Sequence, residues 1–216
     1  MTASGVRIRA ARAEDVAAAR RLIALTGSGV TLEDRLSAAV SDGTLGAAVR
    51  KGLSGGEDAL TYELASAMSQ EGEGTVEDLL VGLTCVLVAE HPEAGVVGAL
   101  LALPPARVLS HAGLPEMESL LGLLQVIKLK AVAVDPAHRS GGVAAALIAA
   151  CRQLYTQLGY TLLYGQFEVG SGLETYYRRQ GLTVLPEEQG VRLTMFSVPV
   201  GIHTAPTERF FVCDLD

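Results

Sequence analysis

AVAVDPAHRSGGVAAAL, residues 131–147, joins an alternating apolar stretch to an alanine-rich run through Asp135-Pro136, a short polar turn and two glycines. The alternation predicts a strand and the alanine-rich run a helix, so Arg139, Ser140, Gly141 and Gly142 fall on a strand-to-helix junction. The first amides of a helix have no partner within it and carry partial positive charge. Glycines at such a turn let a ligand come close to the backbone. The junction from Arg139 to Ala144 therefore has the make-up of an anion cradle. Local charge agrees: from 128 to 152 the chain carries Lys128, Lys130, Arg139 and Arg152 against Asp135, a balance of +3 in a chain of net charge −7.

Working outward, residues 126–134 (VIKLKAVAV) predict the strand before the cradle. Residues 141–159 (GGVAAALIAACRQLYTQLG) predict the helix after it, with Gly159 as its stop, and TLLYGQFEV at 161–169 the next strand. Strand, helix and strand in that order imply a parallel pair with a right-handed crossover. Around this unit, 5–10 predicts an opening strand and 12–27 a helix. LTCVLVAE and VVGALLALPP, on either side of HPEAG, predict a hairpin. LPEMESLLGLL and LETYYRRQG predict helices, and LTVL, VRLTMFSVPV and ERFFVCDL three closing strands. Thr31-x-x-Asp34 and Thr75-x-x-Asp78 resemble capping boxes. LSGGEDALTYELASAMSQEGEG predicts a helix between two glycine-rich breaks. The fold class expected is α/β (α+β), a mixed, mostly antiparallel sheet with a central parallel strand pair flanked by helices. One domain over 1–216 is expected, with a helical insertion at about 28–80.

Composition narrows the function. The chain has 216 residues, 49% apolar, 19% charged and 5% aromatic with no Trp. It can bury a full core, and it offers little for stacking on nucleic acid. Its acidity argues against a general DNA binder. Apolar runs such as VAAALIAAC are too short to span a bilayer, and MTASGVRIRAARAED does not resemble a signal peptide, so a cytoplasmic protein is expected. Cys85, Cys151 and Cys213 form no C-x-x-C pair and lie in apolar stretches, as small buried hydrophobes do. His91, His111, His138 and His203 stand too far apart to suggest a metal cluster, so no metal is expected. Two further patterns compete with the cradle. Gly170-Ser171-Gly172 follows a strand, but Thr175 stands where a dinucleotide fingerprint needs its third glycine. Gly52-Leu53-Ser54-Gly55-Gly56 matches a nucleophile elbow, yet LGAAVRK before it predicts helix rather than strand; a flexible loop is the expectation.

LKAVAVDPAHRSGGVAAALI resembles the strand, V-x-P-x-x-R-x-x-G-x-G/A loop and helix of the GNAT superfamily of acyl-CoA-dependent N-acetyltransferases. YYRRQGL at 176–182 is similar to the family's Y-x-x-x-G-F segment, with Leu182 in place of Phe. The resemblance implies acetyl-CoA as cosubstrate and an N-acetyltransferase acting on a small-molecule or peptide amine, with neither nucleic acid nor membrane as partner and a homodimer as an option. It implies that the strand at Val132, Ala133 and Val134 pairs with the pantetheine arm. The amides of Arg139, Ser140, Gly141, Gly142, Val143 and Ala144 would hold the pyrophosphate. Tyr177 would lie near the thioester sulfur, with Tyr176 a core residue, and Arg178 and Arg179 either reach the nucleotide or serve the helix end. Two departures stand out: Gly170-Ser171 replace the family's asparagine after the fifth strand, and Lys128 and Lys130 stand where some relatives keep a catalytic glutamate. Glu116, Glu118, Glu168 and His111 are the candidate bases. A non-catalytic acyl-CoA sensor on the same fold is the alternative.

Overall fold

A computed structural model describes residues 5–27, 29–69 and 75–215. Glu71 and Glu73, named with Glu77 and Asp78 as an acidic group, lie outside these residues.

Seven strands form one sheet in the order β1-β2-β3-β4-β5-β9-β6: β1 (Arg7–Ala10), β2 (Cys85–His91), β3 (Gly95–Leu103), β4 (Val126–Val134), β5 (Leu162–Glu168), β6 (Thr183–Val184) and β9 (Glu208–Asp214). A separate ribbon pairs β7 (Val191–Leu193) with β8 (Val200–Ile202). The predicted parallel pair is present: Val126–Leu129 of β4 run alongside Leu162–Gly165 of β5. The other registered pairs are antiparallel, namely β1 with β2, β2 with β3, β5 with β9, and β6 with β9.

The chain forms two compact units, Met1–Leu103 with Lys130–Leu154, and Pro104–Leu129 with Tyr155–Asp216. In the first, helices α1 (Val16–Ile23) and α2 (Asp34–Ser41) bury Ala19, Leu22, Ile23, Leu36 and Val40 against Val86, Ala99, Leu101, Ala131 and Ala133. Burying a Leu or Ile side chain contributes about 1.5–3 kcal/mol. The strand residues in this core alternate along the chain, which leaves Gly98 and Ala89 on the other face. There helix α7 (Val143–Gln157) lies on the β2–β3 hairpin: a Cβ added at Gly98 would sit 2.9 Å from Val143 Cγ1 and 3.1 Å from Leu147 Cδ1. Helices α3 (Ala47–Met68) and α4 (Val76–Leu83) follow α2, and Gly82 brings them close, its Cβ position falling 3.1 Å from Ala48.

At the opening of the chain, the Arg9 guanidinium binds Asp15 (Nη2 to Oδ1, 3.0 Å) and Glu90 (Nε to Oε2, 2.9 Å), while the Arg12 amide donates to Asp15. Asp15 is 4% exposed. Burial alone would raise its pKa, but the Arg9 and Arg12 hydrogen bonds outweigh burial and hold it below the usual range.

In the second unit, α5 (Ala106–Ser110), which the sequence reading lacked, precedes α6 (Glu116–Gly122). Tyr160 Oη donates to Leu123 O at 2.9 Å. Helix α8 (Leu173–Arg179) is fastened by Arg209, which donates to Glu174 at 2.6 Å and to Leu185 O at 2.9 Å.

Several expectations are corrected. Thr31-x-x-Asp34 makes no box: α2 begins after Glu33 without a side-chain cap, and the Asp34 carboxylate is taken by Arg20. Thr75 and Asp78 do form one. Gly52–Gly56 is not a loop but part of α3, which kinks where Gly56 takes φ 72°. VRLTMFSVPV is two strands, because 194–199 leave the ribbon and Phe196 packs on Gly122, whose Cβ position lies 2.8 Å from Phe196 Cζ. His91 and His138 are brought together, ring centroids 5.6 Å apart. Cys85, Cys151 and Cys213 are buried thiols.

Replacing Asp15 with Asn leaves Arg9 half-paired and is expected to cost about 3 kcal/mol at pH 7. Because the native pKa is depressed, the wild-type contribution is full above about pH 4–5 and is lost as pH falls further. Urea unfolding of both proteins from pH 7 to 3 should therefore show the gap closing. Gly98→Val forces α7 off the hairpin and is expected to lower stability by about 1–3 kcal/mol, read by the same unfolding curves.

Candidate active site

The chain turns from β4 into α7 in eight residues, and main-chain and side-chain hydrogen bonds hold its first five. Asp135 N donates to Val97 O at 2.8 Å, tying the strand end to β3. The Asp135 carboxylate accepts from Ala137 N at 3.1 Å, capping a short 3-10 turn over Pro136–His138, and from Arg21 of α1 at 3.0 Å. These contacts, the Ala137 amide first and Arg21 second, hold Asp135 below the usual carboxylate range. Arg139 Nε donates back to Val134 O at 3.2 Å, which leaves the rest of an exposed guanidinium beside the turn.

Ser140 and Gly142 then take left-handed conformations, φ 67° and 79°. Such a conformation costs a residue with a side chain about 1–2 kcal/mol, so Ser140 stores strain that its exposed position does not demand. Ser140, Gly141 and Gly142 are all exposed, and a Cβ placed on Gly141 meets only His138 O, 3.7 Å away. Helix α7 closes its first turn with Ala146 N donating to Gly142 O at 3.0 Å. The amides of Val143, Ala144 and Ala145 precede that bond and belong to the set a helix leaves without internal acceptors. Of the other residues singled out here, Ala133, Val134 and Val143 are buried, while Val132 and Ala144 are half-buried. Amides at a helix N-terminus with an exposed arginine beside them are groups that can hold a phosphate or pyrophosphate.

Tyr177 lies in the second unit, on α8. Its ring stacks on Phe211 (centroids 4.2 Å, planes 23° apart) and meets Phe167 at 5.3 Å. Gly165 makes room for Phe211, since its Cβ position lies 2.3 Å from Phe211 Cζ. Burial, with the neighbouring Tyr176 second, pushes the Tyr177 phenol up to about 12. It therefore stays protonated at neutral pH and can act as a hydrogen-bond donor. Of the adjacent pair, Tyr177 is the buried member and Tyr176 only half-buried, the reverse of the expectation, and the Tyr176 hydroxyl is buried with no partner among the described residues. Arg178 serves its own helix, pairing with Glu174 at 3.0 Å.

The candidate bases separate. Glu118 accepts from Ser197 N at 3.0 Å and Ser197 Oγ at 2.8 Å, so it anchors the 194–199 loop. His111 Nδ1 lies 2.8 Å from Arg107 O and Glu116 is exposed. Ser54 donates to Arg50 O and Lys51 O within α3 and has no elbow around it. Gly170 and Gly172, φ 80° and 75°, make the bend from β5 into α8. Sequence reading missed a polar row: Lys128 Nζ donates to Gln166 Oε1 at 2.9 Å, and Gln166 Nε2 donates to Glu208 Oε2 at 2.8 Å. These residues are 38 and 42 apart in the chain, and no local pattern links them. Among the described residues no group of three or more His, Cys, Asp or Glu could hold a metal ion, and no helix is long and apolar enough to cross a membrane.

No protein-family model and no curated protein sequence matches the chain. Solved structures do. An N-acetyltransferase from Staphylococcus aureus Mu50 is 13% identical with a TM-score of 0.52, covering 99% of this chain and 100% of its own. A ribosomal-protein-alanine N-acetyltransferase from Brucella melitensis is 16% identical with a TM-score of 0.52, covering 96% and 99%. yncA from Salmonella typhimurium, solved with its cofactor acetyl-CoA, is 17% identical with a TM-score of 0.51, covering 99% and 95%. At such identities the likeness is one of architecture, and it agrees with the β4-turn-α7 unit and the parallel pair already described: the chain has the fold of the GNAT superfamily of N-acetyltransferases.

Proposed function

We propose that this protein transfers an acetyl group from acetyl-CoA to a primary amine by direct attack, as one acetyltransferase domain whose 28–80 insertion shapes the acceptor pocket. The observation that carries the reading is the turn from Arg139 to Ala144, which offers amides and a guanidinium to a pyrophosphate on a fold shared with acetyltransferases. In this reading the main chain at Val132–Val134 pairs with the pantetheine arm. The amine nitrogen attacks the thioester carbonyl carbon; the C–N bond forms, the C–S bond breaks and the sulfur leaves as thiolate. Tyr177, protonated at neutral pH, donates a hydrogen bond to that developing thiolate. An alkylamine is about 0.1% neutral at pH 7, a deficit of about 4 kcal/mol, so the acceptor's proton must be removed before attack.

One observation favours a second reading, a non-catalytic acyl-CoA sensor: Lys128, where some relatives carry a catalytic glutamate, is engaged with Gln166.

Thermal unfolding with acetyl-CoA, dephospho-CoA and NAD tests the cradle. Acetyl-CoA at a hundred times its Kd should stabilise the protein by about 2.7 kcal/mol, with no effect of NAD. Gly142→Val, which puts a branched side chain at φ 79°, should weaken acetyl-CoA binding at least tenfold, about 1.4 kcal/mol. Failure of acetyl-CoA to stabilise the wild type would overturn the reading. Tyr177→Phe separates the enzyme from the sensor: kcat should fall about a hundredfold with acetyl-CoA affinity unchanged, whereas a sensor has no turnover to lose.

A further inference from the structure

We propose that Phe211, seated over Gly165, sets the aim of the Tyr177 hydroxyl and is a positioning residue for acetyl transfer; this rests on the reading above in which that hydroxyl meets the leaving sulfur. No hydrogen bond from a described residue fixes the phenol. Its oxygen is not among the buried polar atoms left without partners, so it reaches solvent at the end of a ring that is 6% exposed. The direction of that oxygen is therefore decided by what the ring rests on.

Among the described residues three aromatic rings touch Tyr177, and they touch it differently. Phe167 meets it at 5.3 Å with planes 39° apart, and Tyr176 edge-on at 5.4 Å and 68°. Of the three, only Phe211 lies flat against it, 4.2 Å away and 23° from parallel. That face contact stops the ring from tipping toward the sheet. Phe211 can lie this way because of the residue it crosses. Gly165 of β5 pairs with Phe211 of β9 and, on its other side, with Leu129 of β4, the last registered residue of the parallel pair. A Cβ on Gly165 would fall 2.3 Å from Phe211 Cζ and 2.9 Å from Leu129 O. The Phe211 ring thus folds over a position without a side chain and leans across β5, as a glycine within a strand permits. It is 0% exposed, so its place is fixed by packing on every side.

The helix does not share this dependence. Arg209 donates to Glu174 and Leu185 O, and the Tyr177 carbonyl accepts from Gln180 N at 3.0 Å and Leu182 N at 3.2 Å, all without Phe211. Shortening Phe211 therefore leaves α8 in place and frees the Tyr177 ring to tip into the vacated space. The hydroxyl, the side-chain atom farthest from the backbone, moves most. A misplacement of about 1 Å can lower a rate about a hundredfold.

A cycle of Tyr177→Phe, Phe211→Leu and the double variant tests this, read as thiol released from acetyl-CoA with n-butylamine as acceptor. Phe211→Leu should lower kcat about ten- to a hundredfold with the acetyl-CoA KM unchanged. It should lower kcat no further once the Tyr177 hydroxyl is absent. Losses that multiply in the double variant, as a residue merely supporting the core would give, or a loss confined to KM, overturn the proposal. Should Phe211→Leu not fold, Phe211→Met, with its adaptable side chain, takes its place. Tyrosine 13Cζ NMR with coenzyme A reads the same point without turnover, the Tyr177 signal being identified by its loss in Tyr177→Phe. That signal should shift on saturation with coenzyme A in the wild type and lose most of the shift in Phe211→Leu at unchanged Kd. An equal shift in Phe211→Leu, or none in the wild type, refutes the positioning role, while the coenzyme A binding itself leaves acetyl transfer standing. Absence of coenzyme A binding to the wild type refutes the acetyl-transfer reading and the positioning role with it.

Discussion

The seat of α7 on the β2–β3 hairpin is the contact on which the first unit depends. Val143 and Leu147 occupy the space that a side chain at position 98 would fill, so the helix lies closer to the strands than any residue but glycine allows. That closeness fixes where α7 begins. The chain therefore leaves β4, reverses and enters the helix within Asp135–Gly142, with Ser140 and Gly142 in left-handed conformations. The same reversal leaves the amides of the first helical turn facing outward. The packing of α7 and the exposed turn before it are thus two results of one constraint.

A comparable economy governs the second unit. Gly165 admits Phe211 under β5, Phe211 stacks on Tyr177, and Arg209 ties the start of α8 to the strand edge through Glu174 and Leu185. One face of β5 and β9 is thereby committed to aromatic packing. The opposite face carries Lys128, Gln166 and Glu208, polar groups that an otherwise apolar sheet tolerates because each is hydrogen-bonded to the next.

Much of this was legible in the chain itself. The β4-turn-α7-β5 unit was, because strand alternation, two adjacent glycines and an uninterrupted helical run are local patterns. The Thr75–Asp78 box was legible for the same reason, as both partners lie within one turn. Thr31–Asp34 has the same spacing and fails, since Arg20 claims the aspartate from another helix. Gly52–Gly56 misled in the opposite direction: glycine-rich composition predicted a loop, while the buried Leu60 and Leu64 of α3 keep the segment helical through a single kink at Gly56.

The sequence by itself determined the parallel crossover and the strand-to-helix junction at Arg139–Ala144, both carried by patterns of neighbouring residues whose backbone preferences act locally. Only the tertiary structure decided which tyrosine of the 176–177 pair is buried, that Glu118 anchors a loop, and that Lys128, Gln166 and Glu208 form a row. Those outcomes depend on strand register and on side chains meeting across tens of residues. Register is set by the packing of whole faces, which no local stretch of chain encodes.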